Sequence, residues 1–149
     1  MELHRGRLID HVHLVVADLA ASKRFYAAVF DVLGVPEARP ASDTSFVYDE
    51  LYVSTTAMSA ANALTGRVHL AFSTRDQALV DKAYRAGLAA GGKDNGAPGE
   101  RPYHPGYFAG FLLDPDGNNI EIVFHRPREV LGGLGDDHVL IRGFGLCGW

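Results

Sequence analysis

The chain repeats itself at a spacing of 58 residues, and this duplication constrains its fold more than any other feature. Six identities fall within the 24 positions from 11 to 34, and the pairs are His11/His69, Asp18/Asp76, Ala20/Ala78, Tyr26/Tyr84, Ala28/Ala86 and Gly34/Gly92. About one or two matches are expected by chance from average residue usage. Two copies of one unit indicate a duplicated module rather than a solenoid.

Each copy has the pattern of a strand followed by a helix. In the first copy, apolar alternation ends at Asp18, and apolar residues at helical spacing follow it. Asp18 and Asp76 are predicted to cap the two helices, and Gly34 is predicted to end the first one. Tyr26 and Tyr84 lie on the apolar helix faces, so we expect them to pack in the core.

Strand-like segments follow both predicted helices. In the first copy, SFVYDELYVSTT is predicted to supply one or two strands after the loop GVPEARPASD. In the second copy, GYFAGFLLDPDGNNIEIVFH is predicted to form a hairpin that turns at Asp116 and Gly117, after the loop GGKDNGAPGERPYHPG. The repeated unit is therefore β-α-β-β with room for a further strand, and the boundary between the copies is predicted near residues 59–66.

Composition narrows the class of protein. A chain of 149 residues with a formal charge of -4 lacks the basic surface that nucleic-acid binding needs. Its apolar runs are too short to span a membrane, and the first ten residues lack the apolar core of a signal peptide. The single Cys147 excludes an internal disulfide framework. We therefore expect a cytoplasmic protein without nucleic-acid or membrane partners.

Strand periodicity places polar side chains opposite the apolar faces of three predicted strands. His11 and His13 share one face of the first strand, His69 lies on the matching face of the strand at 67–73, and Glu121 lies in the last strand. If these faces curve around one cavity, two imidazoles and one carboxylate converge as a facial triad that leaves positions open on a divalent metal. The alternative is that each is an ordinary hydrogen-bonded or solvent-facing strand residue.

Three motifs, in this order, resemble the vicinal oxygen chelate superfamily, which includes glyoxalase I, extradiol dioxygenases, fosfomycin-modifying enzymes and bleomycin-resistance proteins. They are DHVHLVVADLAASKRFYAAVFDVLG, VHLAFSTRD and DPDGNNIEIVFH, and with RPYHPGYFAGF they cover most of residues 8–125. The chain is most similar to a small glyoxalase-like bacterial subgroup. The resemblance implies an α+β fold in which two βαβββ modules form curved mixed sheets around a shared cavity.

The same resemblance divides the chain. It implies a first module at residues 1–62, a second at 63–127 and a C-terminal extension at 128–149, all within one domain of this type. The DHVLIRGF segment of the extension is expected to be an extra strand or part of a dimer contact. The implied partners are a small-molecule substrate and a second copy of the chain.

The resemblance also implies a metal site. Its ligands are His11, His69 and Glu121, and the ion is a divalent Fe, Mn, Ni or Zn. His11 matches the family ligand better than His13 because it stands seven residues before the capping aspartate, and His69 has the same spacing in the second copy.

A fourth carboxylate ligand is usual in glyoxalase I, on the last strand of the first module. Asp49 and Glu50 are the available carboxylates, and both come early for that strand. We therefore expect three protein ligands, which departs from the glyoxalase I pattern.

Four further residues are candidates for a catalytic role. His13 is a proton shuttle or a neighbour of the ligands, or else a buried hydrogen-bonded histidine. Tyr103, His104 and Tyr107 lie in the loop before the hairpin, where substrate groups are often met, or else they pack that loop against the sheet.

Two main functions compete. The first is a metal-dependent enzyme, a lyase, isomerase or dioxygenase, whose substrate chelates the metal through neighbouring oxygens while His13 or His104 moves a proton. The second is a metal-free protein that sequesters an aromatic or drug-like ligand, as bleomycin-resistance proteins do. An inactive dimerisation module is a weaker third possibility.

Overall fold

The computed structural model describes residues 9–126, so the predicted extension lies outside the described residues. The elements are β1 (Val12–Val15), α1 (Leu19–Leu33), β2 (Glu37–Arg39), β3 (Ser45–Tyr48), β4 (Leu51–Ser54), β5 (His69–Thr74), α2 (Gln77–Ala89), β6 (Lys93–Asp94), β7 (Gly99–Glu100), β8 (Tyr107–Leu113) and β9 (Asn119–His125). A 3₁₀ turn at Thr56–Met58 follows β4. No helix within residues 9–126 is both long and apolar enough to cross a bilayer.

The strands form two mixed sheets of the same design, which confirms the predicted α+β class. The first sheet has the order β1-β4-β3-β2, and the second has the order β5-β9-β8-β6 with β7 also paired to β8. In each sheet the first strand is parallel to the last strand of its module, and the remaining pairs are antiparallel. Consequently β1 and β5 both lie at sheet edges.

The predicted helix caps are confirmed. The Asp18 carboxylate accepts a hydrogen bond from the Ala21 backbone N–H at 2.9 Å, and the Asp76 carboxylate accepts one from the Ala78 N–H at 2.9 Å. Gly34 takes a left-handed conformation with φ 72°, which favours glycine at the end of α1. The helices therefore begin and end where their sequences indicate.

The two helices pack against each other, and glycine in α2 permits this close approach. A Cβ atom at Gly87 would lie 2.5 Å from Leu112 Cδ1 and 3.2 Å from Phe25 Cε2. Phe25 is fully buried, as are Tyr26 and Val29 on the same face of α1. The core therefore lies between the helix faces of the two sheets, and it is continuous from one module to the other.

A buried carboxylate, Asp114, joins the second module to the first. It is 3% exposed, and it accepts a hydrogen bond of 2.7 Å from the Tyr26 hydroxyl of α1. Further hydrogen bonds reach it from the backbone N–H groups of Asp116 and Asn118 and from the Asn118 side chain. Burial and the adjacent Asp114 carboxylate raise the pKa of the Tyr26 hydroxyl, so this group remains a donor at physiological pH.

The sequence did not predict the shortest strands. β2 lies inside the segment assigned to a loop, as do β6 and β7 in the second module. These strands have two or three residues each, and β2 is bounded by Pro36 and Pro40. Alternation cannot be recognised over so few positions.

Replacing Tyr26 by Phe removes a donor from the buried Asp114, so we expect a loss of about 1–3 kcal/mol in the free energy of unfolding. Chemical denaturation measures this change. The Tyr84→Phe variant is a matched control, because the Tyr84 hydroxyl donates to Asp94, which is exposed, and we expect a smaller loss. Equal losses in the two variants would contradict the assigned importance of Asp114.

Candidate functional site

Glu121 is a buried carboxylate in the middle of β9. Strand pairing places it between Ala71 of β5 and Phe111 of β8. Its neighbours Ile120 and Ile122 are fully buried in the helix-side core, so the Glu121 side chain lies on the opposite face of the sheet. It is nevertheless only 3% exposed, and a carboxylate in such a position requires partners.

Two side chains supply those partners, one for each carboxylate oxygen. His69 Nε2 lies 3.0 Å from Oε2, and the Tyr107 hydroxyl donates to Oε1 at 2.6 Å. The His69 ring is half exposed, with 51% of its surface accessible. An accessible imidazole and an oriented carboxylate therefore meet at one point on the open face of the second sheet.

An aromatic cluster borders this pair. The Tyr107 ring makes edge contacts with His125, His104 and Tyr103, at centroid distances of 4.8, 5.2 and 4.9 Å. His104 Nδ1 lies 3.0 Å from the Pro105 carbonyl oxygen, and its Nε2 lies 3.1 Å from His125 Nδ1. Because a carbonyl only accepts, His104 Nδ1 carries hydrogen, and in the neutral ring Nε2 accepts from His125.

Three of the four catalytic candidates thus lie together beside Glu121. They are Tyr103, His104 and Tyr107, of which Tyr103, at 57%, and His104 are exposed. Sequence reasoning did not single out His125, although it is the cross-strand partner of Tyr107 in the β8–β9 hairpin. The register of that predicted hairpin was the signal that would have identified it.

His11 and His13 lie at the other sheet, the one that contains β1. His11 precedes β1, is 63% exposed, and its Nδ1 donates to Asp10 at 2.7 Å. His13 Nε2 lies 2.8 Å from Ser54 Oγ, and that hydroxyl donates to the Thr55 carbonyl at 3.0 Å. Since its hydrogen is used there, Ser54 accepts from His13 Nε2, which leaves Nδ1 of the neutral His13 ring as an acceptor.

A cavity of about 650 Å³ lies between the two modules. His69 lines it together with Asp49 and Glu50, the candidates for a fourth ligand, whereas His11 lines a separate pocket of about 330 Å³ on the first sheet. Among residues 9–126 no three His, Cys, Asp or Glu side chains of one chain are grouped to hold a metal. One chain therefore brings together two of the three predicted ligands.

The donor chemistry of this pair fits a divalent metal. An imidazole nitrogen is a borderline ligand and a carboxylate oxygen is a hard one, and this mixed pair suits Fe, Mn, Ni or Zn. Tyr107 holds the second oxygen of Glu121, an arrangement typical of hydrogen-bonded carboxylate ligands. His69 and Glu121 would supply two donors to such an ion, and a facial set would need a further protein ligand.

Comparison with known proteins assigns the amino-acid sequence to a family. A sequence model described as the Glyoxalase/Bleomycin resistance protein/Dioxygenase superfamily matches residues 8–122. No functionally curated protein matches the chain.

Solved structures share the fold. A glyoxalase/bleomycin resistance protein from Albidiferax ferrireducens T118 is 28% identical with a TM-score of 0.66, over 81% of this chain and 100% of that one. A glyoxalase-related enzyme from Fulvimarina pelagi is 25% identical with a TM-score of 0.64, over 79% and 88%. A lactoylglutathione lyase from Agrobacterium tumefaciens has a TM-score of 0.57 at 23% identity, over 78% and 92%, which shows a likeness of fold alone.

Replacing Tyr107 by Phe tests whether its hydroxyl holds Glu121. We expect the free energy of unfolding to fall by about 1–3 kcal/mol, because a buried carboxylate oxygen loses its donor. Urea denaturation compared with Tyr103→Phe, which removes a hydroxyl from an exposed ring, measures the effect. If both variants unfold at the same urea concentration, the Tyr107 hydroxyl does not stabilise Glu121.

Proposed function

Because the chain belongs to the glyoxalase/bleomycin resistance protein/dioxygenase superfamily, we propose that it is a metal-dependent enzyme acting on a small substrate. In this proposal the substrate meets the metal through two neighbouring oxygens. The observation that carries it is the contact of 3.0 Å between the accessible His69 and the buried Glu121. Burying a carboxylate away from solvent costs free energy, and a role in cation binding accounts for a carboxylate in such a position.

The third ligand in this proposal is His11 from a second copy of the chain. The helix faces of both sheets are used in packing the two modules together, so the faces that carry His11 and His69 are left for other contacts. β1 and β5 are sheet edges, and if β1 of one copy meets β5 of its partner, two-fold symmetry repeats the same contact with the copies exchanged. A homodimer then contains two equivalent sites, each with ligands from both copies.

When bound, the metal supplies a Lewis acid with open coordination positions. The chain supplies orientation, because the Tyr107 hydroxyl holds Oε1 of Glu121, while Oε2 and His69 Nε2 lie 3.0 Å apart as the two proposed ligand atoms. His13 is the proposed proton acceptor, since its Nε2 is committed to Ser54 and its Nδ1 is not. His104 is less suited to this role because both of its nitrogens already have partners.

A second candidate function is storage or sequestration of an apolar ligand without metal. The cavity between the modules supports it, because a volume of about 650 Å³ is in the range of small-molecule sites. Phe30, Leu33 and Phe72 line it among other apolar side chains. Metal content distinguishes the two functions.

We expect wild-type protein purified without chelators to contain a divalent metal, and His69→Ala to lose about tenfold or more in metal affinity. Elemental analysis and metal titration measure this. His104→Ala is the matched control, because its imidazole bonds to His125 and not to Glu121. Wild-type protein without metal, or equal losses in the two variants, would overturn the metal-dependent function.

Mixing subunits tests the shared site. His11→Ala and His69→Ala each remove one ligand from every site, so neither homodimer is expected to hold metal. An equal mixture, unfolded and refolded together, forms mixed dimers in which one site has both histidines intact. By two-fold symmetry the mixture should recover about a quarter of the wild-type metal content. No recovery, with mixed dimers demonstrated, would show that His11 and His69 do not act across copies.

A further inference from the structure

We infer that the pocket on the first sheet binds an oxyanion, a carboxylate or a phosphate group, through the guanidinium of Arg39. The pocket has a volume of about 330 Å³ and is lined by His11, Ala38, Arg39, Val47 and Tyr52. A role for this pocket in catalysis rests on the proposed function, in which His11 is a metal ligand. The anion site itself is built from residues of one chain.

An irregularity in strand pairing directs Arg39 toward this pocket. β2 pairs with β3 so that Glu37 lies opposite Tyr48, yet Arg39 lies opposite Val47, with one extra residue on β2. Regular pairing would place Arg39 opposite Phe46, which is 1% exposed in the helix-side core. The bulge therefore turns Arg39 to the open face, as bulges beside functional sites commonly do.

A row of side chains then crosses this face. Val47 lies opposite Tyr52 of β4, and Tyr52 lies opposite His13 of β1, so these side chains share a face with Arg39. Arg39 Cζ lies 5.8 Å from the centre of the Tyr52 ring, although two strand spacings separate β2 from β4. The arginine side chain therefore lies back over the sheet instead of extending away from it.

Arg39 supplies positive charge to the pocket, in a chain of net charge -4. Arg39 makes no ion pair with a carboxylate of residues 9–126, and its only ring contact there is the one with Tyr52. No acidic residue lines the pocket, whereas Asp49 and Glu50 line the cavity between the modules. Within residues 9–126, Arg39 therefore brings to the pocket a cation without a carboxylate partner, which favours an anion there.

Guanidinium chemistry specifies the ligand class. The planar fork of arginine matches the two oxygens of a carboxylate or phosphate with parallel hydrogen bonds, and this geometry is not reproduced by lysine. The His13 ring lies at the other end of the row, with its centre 4.5 Å from the centre of the Tyr52 ring. The ligand is thus a small molecule with an anionic group held beside His11.

Isothermal titration of purified protein with pyruvate and with inorganic phosphate tests the inference, with hydroxyacetone as the uncharged probe. We expect at least one anion to bind and hydroxyacetone to bind more weakly. Arg39→Gln should weaken anion binding by about tenfold or more, and Arg39→Lys should restore part of it. Arg24→Gln, which removes the same charge from an exposed position on α1, should bind as wild type does.

Absence of binding by both anions would overturn the inference, and so would unchanged binding in Arg39→Gln or an equal loss in Arg24→Gln. The His69→Ala variant separates this result from the metal. Anion binding that survives in His69→Ala and is lost in Arg39→Gln supports the pocket even if the wild-type protein holds no metal. Binding lost in His69→Ala and retained in Arg39→Gln assigns the anion to the metal and overturns the role of Arg39.

Discussion

The carboxylate of Asp114 accepts four hydrogen bonds inside the protein, and the arrangement of the two modules depends on them. Three come from its own turn, through Asp116 and Asn118, and the fourth comes from Tyr26 on the helix of the other module. Asp116 extends the connection, since its carboxylate accepts from the Ala17 N–H at the start of α1. A satisfied buried carboxylate is rigid, because each lost partner leaves charge or polarity in the core. The β8–β9 turn thus fixes where α1 lies.

This connection determines which faces remain for chemistry. With α1 against α2, the apolar faces of both sheets are covered within one chain, and the opposite faces carry the polar side chains. Glu121 and His69 lie on one of these faces, while His13 and Arg39 lie on the other. Duplication therefore gave each sheet the same framework, but the two faces acquired different chemistry. One face has a carboxylate, Glu121, and the other has a guanidinium, Arg39.

Local sequence signals predicted the framework well because each depends on neighbours along the chain. A capping aspartate such as Asp18, a glycine such as Gly34 and an alternating strand are all local features. The site was predicted only in part. His69 and Glu121 meet because β5 is parallel to β9, whereas the sequence alone predicted their convergence only on the condition that the strand faces curve around one cavity. The sheet face on which the Arg39 side chain lies could not be predicted from the sequence. It depends on a bulge of one extra residue on β2, and residue composition does not indicate where such a bulge occurs.

Tyr107 and His69 occupy both oxygens of Glu121 through groups of the chain itself. The buried charge of the second sheet is therefore hydrogen-bonded even when no ion is bound, and the native packing of the sheet does not require an ion. In the proposed metalloprotein, folding and metal binding would then be separate events, unlike in small domains that fold only around their metal. An ion that enters the proposed site would therefore meet a protein that has already folded.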